Sequence, residues 1–249
     1  MRLIHPILVA GLSVLALGLT GCQNTAQKSS TSFKNQETSS KKYQAPKPDA
    51  AFSASSSAKI AQSFKPDAAQ TKARGYVKSG NLQQPGQYTY DRVGTKLTLD
   101  QAHTRKYTIK SGTLTYRITL VRTIANTAET ANAKKMAAQA LNLPSIKSPY
   151  YTVQVKFTIL NRGKRAVTTD GIREIRLSNG HRLSTTNQLS DASAGRTIGA
   201  HRQLATFATG LASQGKAPKL DTLKIAFAGG YDQKQHQLVK PSGWLTIHL

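Results

Sequence analysis

The stretch Tyr151-Thr152-Val153-Gln154-Val155-Lys156-Phe157-Thr158-Ile159 alternates apolar and polar side chains along its whole length. A period of two is typical of a β-strand with one buried face, and β-branched and aromatic residues favour that conformation. The segments 114–120, 223–227 and 244–249 repeat the pattern, and the first is expected to place Leu114, Tyr116, Ile118 and Leu120 on one face. Strands with one wet and one buried face indicate antiparallel sheets. The sequence therefore predicts an all-β fold.

Turn residues divide these strands at regular intervals. The tetrapeptide Ser178-Asn179-Gly180-His181 predicts a hairpin with a type I′ turn between strands 172–177 and 182–184. The alanine-rich stretch 129–141 contains good helix formers and is followed by Pro144, which predicts one short helical insertion at about 128–143. Seven or more strands at this spacing predict an antiparallel sandwich.

The order of these features resembles the immunoglobulin-like domains of bacterial surface lipoproteins, notably the domain of unknown function 4352 family. The matching pieces span about residues 94–249, and the family pattern lacks the insertion at 128–143. The resemblance implies an immunoglobulin-like sandwich and brings no catalytic residues. In chain order the pieces are Thr158-Ile159-Leu160-Asn161, Arg162-Gly163-Lys164-Arg165, Asn179-Gly180, Gly199-Ala200-His201-Arg202 before strand 204–207, and strand 223–227.

The N-terminus carries the strongest local motif of the chain. An uncharged apolar stretch from Ile7 to Leu19 follows Arg2 and ends in Leu19-Thr20-Gly21-Cys22. This ending resembles the bacterial lipobox, in which the cysteine thiol receives a lipid and becomes the first residue of the mature protein. Residues 1–21 are then a lipoprotein signal peptide, and Cys22, the only cysteine, is the lipidation site. We expect anchoring to the extracytoplasmic face of the cell membrane, in a bacterium of Gram-positive type.

Residues 22–75 are rich in Ser, Ala, Lys and Pro and poor in large apolar side chains, which predicts a disordered tether. A five-residue repeat, Lys47-Pro48-Asp49-Ala50-Ala51 and Lys65-Pro66-Asp67-Ala68-Ala69, lies within it. Two copies are too few for a repeat fold. The sandwich domain is expected to cover residues 76–249.

Net charge narrows the choice of partners. The chain carries 35 Lys and Arg against 11 Asp and Glu, a formal charge of +24, and 25 basic against 8 acidic residues follow from Tyr76 onward. Such a field attracts polyanions. At the predicted location these are anionic lipid headgroups, teichoic acids of the wall, acidic polysaccharides and extracellular DNA, and cytoplasmic nucleic acid is not an expected partner. A basic exported proteome is the alternative explanation.

The sequence offers little for catalysis. It contains no paired His-x-x-x-His spacing, no second cysteine for a zinc site and no nucleophile elbow or phosphate loop. We therefore expect no enzyme activity, no metal and no cofactor. Five histidines follow the predicted signal, and His248 is expected on a partly exposed sheet face with Trp244 and Thr246.

Clustered cations provide the candidate binding residues. Arginine forks suit bidentate contact with phosphate or carboxylate. Charges that protect sheet edges are the structural alternative. Two functions remain open: a non-catalytic binding or adhesion module for anionic envelope polymers, or an accessory subunit that binds a membrane or envelope protein. The candidate polyanion-binding residues are Arg162, Lys164, Arg165, Arg173, Arg176 and Arg182.

Overall fold

The computed structural model describes residues 63–249. The predicted signal peptide, Cys22 and most of the predicted tether lie outside the described residues. Over the described range the chain forms two short helices and fifteen strands. In chain order these are α1 Ala68–Lys72, β1 Tyr88–Tyr90, β2 Thr95–His103, β3 Tyr107–Ser111, β4 Leu114–Ala128, α2 Ala131–Ala140, β5 Tyr150–Asn161, β6 Val167–Thr169, β7 Ile172–Leu177, β8 Arg182–Leu183, β9 Leu189–Asp191, β10 Arg196–Ile198, β11 Gln203–Gln214, β12 Thr222–Phe227, β13 Gly230–Tyr231, β14 Gln237–Val239 and β15 Leu245–His248.

The strands form three antiparallel sheets in two layers. The first layer is a seven-stranded sheet in the order β1-β2-β4-β5-β11-β9, in which β3 also pairs with β4. The second layer contains two four-stranded sheets, β15-β12-β7-β8 and β10-β6-β13-β14. The predicted all-β antiparallel sandwich with a short helical insertion is confirmed.

The core lies between the two layers, where the inward side chains of all three sheets form one apolar cluster. The alternation that predicted β5 supplies its centre, because Val153, Val155, Phe157 and Ile159 are at most 2% exposed. From the second layer, Phe227 of β12 stacks on a tyrosine of β4, Tyr116, with 3.8 Å between ring centroids. Large aromatic contacts of this kind hold the layers together.

A bulge in β4 changes the predicted face of one side chain. Leu114, Tyr116 and Ile118 lie in the core as expected. The register with β5 shifts between Ile118 and Leu120, so that Val121 enters the core instead of Leu120. A bulge adds one residue to one strand and therefore inverts the alternation beyond it. The expectation for Leu120 was wrong for this reason.

The predicted hairpin joins β7 to β8, but its turn differs from the predicted type I′. Gly180 has a φ of 92°, whereas Asn179 does not have a positive φ. The amide of Gly180 donates to the Leu177 carbonyl, and the amide of Leu177 donates to the His181 carbonyl. This is a type I turn followed by a left-handed glycine. The Asn179 side chain is instead used to donate to the Ala212 carbonyl of β11.

Helix α2 covers part of the outer face of the seven-stranded sheet. Thr130 caps its N-terminus by accepting a hydrogen bond from the Ala133 amide. The helix packs Ala137 and Ala138 in a small cluster with Tyr150 of β5 and Leu211 of β11, separate from the main core. The expectation that one face of each sheet is wet was therefore wrong for this part of the seven-stranded sheet.

Residues 63–75 are ordered, although the predicted tether extended to residue 75. The repeat unit 65–69 supplies Asp67, which forms a capping box with Gln70 at the start of α1. The Phe64 amide donates to the Arg92 carbonyl, and the Gln70 side chain donates to Glu129. Local capping and these hydrogen bonds order a segment whose composition alone lacks apolar surface. The other repeat unit, 47–51, lies outside the described residues.

Candidate anion-binding face

The outer face of the sheet β15-β12-β7-β8 carries half of the predicted cations. The inward side chains of β7 are Ile172, Ile175 and Leu177, all in the core. The register between β7 and β12 shifts at this end of the pair, where Ala226 faces Glu174 and Phe227 faces Ile172. This bulge leaves both Arg173 and Glu174 outside the core, between two buried isoleucines. A break in the alternation thus adds one outward side chain to the face.

Three cations lie in one row across this sheet. Arg176 of β7 is the register partner of Arg182 in β8 and of Lys224 in β12. Like charges directly opposite each other on neighbouring strands are destabilising. Two of the three cations lie on β7 and β12, which are interior strands with a neighbouring strand on either side. Protection of an exposed sheet edge therefore explains at most Arg182, on the edge strand β8.

An exposed tryptophan lies beside the row. Trp244 precedes β15 and is 38% exposed, the only large hydrophobic side chain assigned as exposed within residues 63–249. The register of β12 and β15 places it next to Ala226, which is fully buried although it alternates outward. The guanidinium of Arg176 lies 4.2 Å from the indole centroid, and that of Arg173 lies 5.7 Å away. These distances are those of cation–π contacts.

One carboxylate balances this surface. The Nε of Arg176 donates to Oε1 of Glu174 at 2.7 Å. That hydrogen bond and the positive charge of the neighbouring arginines hold the pKa of Glu174 below its usual value. Glu174 is therefore ionised at neutral pH. We call the following set the basic face: Arg173, Arg176, Arg182, Lys224, Trp244 and Glu174.

The structure divides the six predicted residues into two groups. Arg173, Arg176 and Arg182 come together on the basic face. Arg162, Lys164 and Arg165 lie in the β5–β6 turn, where the Arg162 side chain donates to Thr115 of β4. Strand β6, which belongs to another sheet, and most of β7 separate Arg165 from Arg176. The strand registers and the contacts with Trp244 bring together only Arg173, Arg176 and Arg182 of the six.

Three residues of the basic face, Lys224, Trp244 and Glu174, were not predicted as site residues. Lys224 lies between Leu223 and Ile225 in an alternating strand, and Trp244 was assigned to the same face as Thr246 and His248. The side chains of Trp244, Thr246 and His248 are all exposed, as expected. What the sequence did not reveal is the pairing of β12 with both β7 and β15. That pairing brings segments about 50 and 70 residues apart onto one surface.

A second group of cations lies on the outer face of the seven-stranded sheet, and it is buried. Arg122, Gln154 and Thr209 form one cross-strand row, with Arg122 Nε donating to Gln154 Oε1 at 2.8 Å. Arg122 also donates to the carbonyl of Leu82, which lies in the connection between α1 and β1. The pocket lined by this row has a volume of about 20 Å³, which holds about one water molecule. It does not admit a larger ligand as it stands.

Lys156 lies one row further along β5 and is 6% exposed. No ion pair joins it to another residue of the range 63–249. Burial, and secondly the charge of Arg122, lower the pKa of Lys156 to about 8. The unfolded chain holds this proton up to the usual value of 10.5. At neutral pH the buried charge of Lys156 lowers the free energy of unfolding. This loss is recovered as the pH rises from about 8 to 10.5, where the folded protein has released the proton and the unfolded chain still holds it.

The variant Lys156→Met is expected to be more stable than the natural protein at neutral pH. Because the substitution removes a buried charge and keeps an unbranched side chain of similar length, we expect the free energy of unfolding to rise by about 2 kcal/mol at pH 7. The gain should shrink as the pH approaches 10. Urea denaturation at several pH values measures both effects. Equal stability of the two proteins at every pH would show that Lys156 is hydrated in the folded state.

Comparisons with known proteins give no family assignment. No known protein family matches the chain. No curated protein matches it either. One solved structure, described as the X-ray structure of Northeast Structural Genomics Consortium target SoR45, matches 60% of this chain and 86% of its own at 9% identity. Its TM-score of 0.29 is too low to support a statement about fold or function.

Residues 63–249 contain neither a membrane-spanning helix nor a cluster of metal-binding side chains. No helix in this range is long and apolar enough to cross a membrane. No group of three or more His, Cys, Asp or Glu side chains in the same range could hold a metal ion.

Proposed function

We propose that this chain is a lipoprotein of the bacterial cell surface whose sandwich is a non-catalytic module that binds anionic envelope polymers. The observation that carries the proposal is the basic face, where Arg173 and Arg176 lie against an exposed tryptophan, Arg182 and Lys224 flank Arg176, and Glu174 is the one carboxylate. Arginine and lysine concentrated on one surface attract polyanions and speed their encounter with the protein. The opposed cations of the central row destabilise the sheet, and a bound anion would relieve their repulsion.

The cellular location rests on the sequence Leu19-Thr20-Gly21-Cys22. A lipid on Cys22 would hold the sandwich at the extracytoplasmic side of the cell membrane, where anionic wall polymers are abundant. Stable anchoring needs more than one acyl chain. Mass spectrometry of the mature protein tests this part separately. An unmodified thiol or an uncut leader would contradict it.

Binding should depend steeply on salt. We expect the purified protein to bind poly(glycerol phosphate) and polygalacturonate and not the uncharged polymer dextran. Because each contact with a polyanion releases counterions, affinity should fall at least about tenfold between about 50 and about 200 mM salt. Isothermal titration calorimetry at several salt concentrations measures the dependence. Absent binding, or affinity that does not change with salt, would contradict the proposed function.

The alternative is an accessory subunit that binds a membrane or envelope protein. The sheet edges support this function, because a strand at the end of a sheet, such as β9, can pair with an extended segment of a partner protein. The accessory function predicts one discrete partner after crosslinking in intact cells, with contact that persists when the cations of the basic face are reversed. Loss of the crosslink on charge reversal would favour the polymer instead.

A further inference from the structure

We infer that the polymer bound by the basic face is an acidic glycan, with a sugar ring packed on the indole of Trp244 and its anionic group held by Arg176 and the adjacent cations. This inference rests on the proposed function and narrows its ligand class. It requires two different contacts on one surface, an apolar platform and an anion site. The geometry around Trp244 provides both.

The apolar platform is the indole. A tryptophan that is 38% exposed lies on a sheet whose other outward positions are charged, small or polar. The adjacent outward position on β12 is the small side chain of Ala226, and the charged groups nearest the ring are the guanidiniums of Arg176 and Arg173. The face of an aromatic ring carries partial negative charge. It therefore attracts the weakly positive C–H groups on the flat side of a pyranose.

The anion site is the guanidinium that lies over the same ring. Arg176 uses Nε for Glu174 and lies 4.2 Å from the indole centroid. A sugar carboxylate or phosphate next to the stacked ring competes with Glu174 for this guanidinium. Arg182 and Lys224, the two register partners of Arg176, carry the adjacent charges. Aromatic and anionic contacts therefore meet within the length of one sugar unit.

A single-stranded nucleic acid fits this surface less well. Proteins that bind such strands stack successive bases on several aromatic side chains. Trp244 is the only Phe, Tyr or Trp among the outward positions of β7, β8, β12 and β15 and the residue before β15. One ring serves one sugar contact and does not form a track for successive bases. The two tyrosines at the start of β5, Tyr150 and Tyr151, pack into apolar clusters and add no ring to this surface.

The chain contains one tryptophan, so its fluorescence reports on this position alone. We would titrate the purified full chain with polygalacturonate, with polyphosphate as an anion without sugar, and with oligo(dT) as a base-bearing strand. Affinities come from calorimetry at one low salt concentration. Polygalacturonate is expected to shift the emission of Trp244 to shorter wavelength, because a stacked sugar excludes water from the ring, and polyphosphate is expected to give no such blue shift.

Three variants separate the two halves of the site. Trp244→Ala is expected to weaken polygalacturonate binding about tenfold and polyphosphate binding less than about twofold, because only the sugar contact is lost. Trp244→Phe, which keeps a flat ring, should retain most of the affinity. Glu174→Gln should strengthen polygalacturonate binding about threefold, because it removes the competing carboxylate. Thermal unfolding of each variant confirms that the sheet is intact.

The outcomes distinguish this inference from the function on which it rests. If Trp244→Ala weakens both polymers equally, or polygalacturonate binds without an emission shift, the sugar contact is refuted while polymer binding stands. Tighter binding of oligo(dT) with an emission shift would replace the glycan by a nucleic acid. If none of the anionic polymers binds, the proposed function itself fails.

Discussion

Reversal of three charges on the basic face, by Arg173→Glu, Arg182→Glu and Lys224→Glu together, is expected to weaken binding of polygalacturonate and poly(glycerol phosphate) about a hundredfold at low salt. Each reversal removes an attraction and adds a repulsion, worth roughly 1 kcal/mol at a protein surface. All three side chains are exposed, so the fold should be retained. Arg176 is left unchanged to preserve its contacts with Glu174 and Trp244. Calorimetry with both polymers measures the loss.

The β5–β6 turn provides the matched control. Arg162→Glu, Lys164→Glu and Arg165→Glu change the net charge by the same amount at a different place. We expect this triple variant to lose no more than about threefold in affinity, through the long-range field alone. Equal losses in both variants would mean that net charge and not the basic face governs binding. A larger loss in the control would place the site at the turn.

Gly171→Ala is expected to lower the free energy of unfolding by about 3 kcal/mol or more. Gly171 has a φ of +74°, where an alanine costs about 1 to 2 kcal/mol. A Cβ at this position would overlap the carboxylate of Asp191 and come within 2.8 Å of Ser193 Oγ. That carboxylate accepts hydrogen bonds from the Ile172 and Ser193 amides, so its displacement would leave buried donors unpaired.

Gly195→Ala separates the clash from the backbone strain. Gly195 has almost the same φ, +73°, and a Cβ there would meet no atom within 4 Å. We expect this control to lose only about 1 kcal/mol, the cost of the left-handed conformation. Urea denaturation of the two variants at neutral pH gives the difference directly. Similar losses in both would show that the Asp191 loop moves aside at little cost.

Local sequence patterns predicted one of the two sheets of the second layer, β15-β12-β7-β8, and the strands β4 and β5 of the first. The alternation of 151–159 gave the inward face of β5, and residues 172–177 and the Asn179-Gly180 turn gave the β7–β8 hairpin. The type of turn escaped prediction because Asn179 turns its side chain to a carbonyl of β11, a contact outside the hairpin. The bulge in β4 escaped because nothing within one strand reveals an extra residue relative to its partner.

The candidate site was only partly predictable for the same physical reason. A hairpin sets Arg176 opposite Arg182, and this follows from neighbouring residues. Lys224 and Trp244 join them through strand pairings over long sequence separations, which no short window encodes. Arg122 and Lys156 are buried because parts of the chain distant in sequence, including Leu82 and α2, cover the outer face of the seven-stranded sheet. The pattern within one strand does not reveal this covering, and the sequence therefore predicted a solvent-exposed face.

The docking of residues 63–75 has a mechanical consequence. A pull on the N-terminal side of residue 63 would load this segment first. Single contacts hold it to the sandwich: the Phe64 amide, the Phe64–Tyr90 ring pair, the side-chain bond from Gln70 to Glu129, and two hydrogen bonds from Tyr88 to the carbonyls of Gln70 and Gly75. Neighbouring strands of the seven-stranded sheet, by contrast, share long hydrogen-bonded ladders. We therefore expect the segment to detach under tension before any strand separates, and its thirteen residues can then extend to at most about 45 Å. Detachment of this segment would thus absorb an applied force before the hydrogen bonds between strands are loaded.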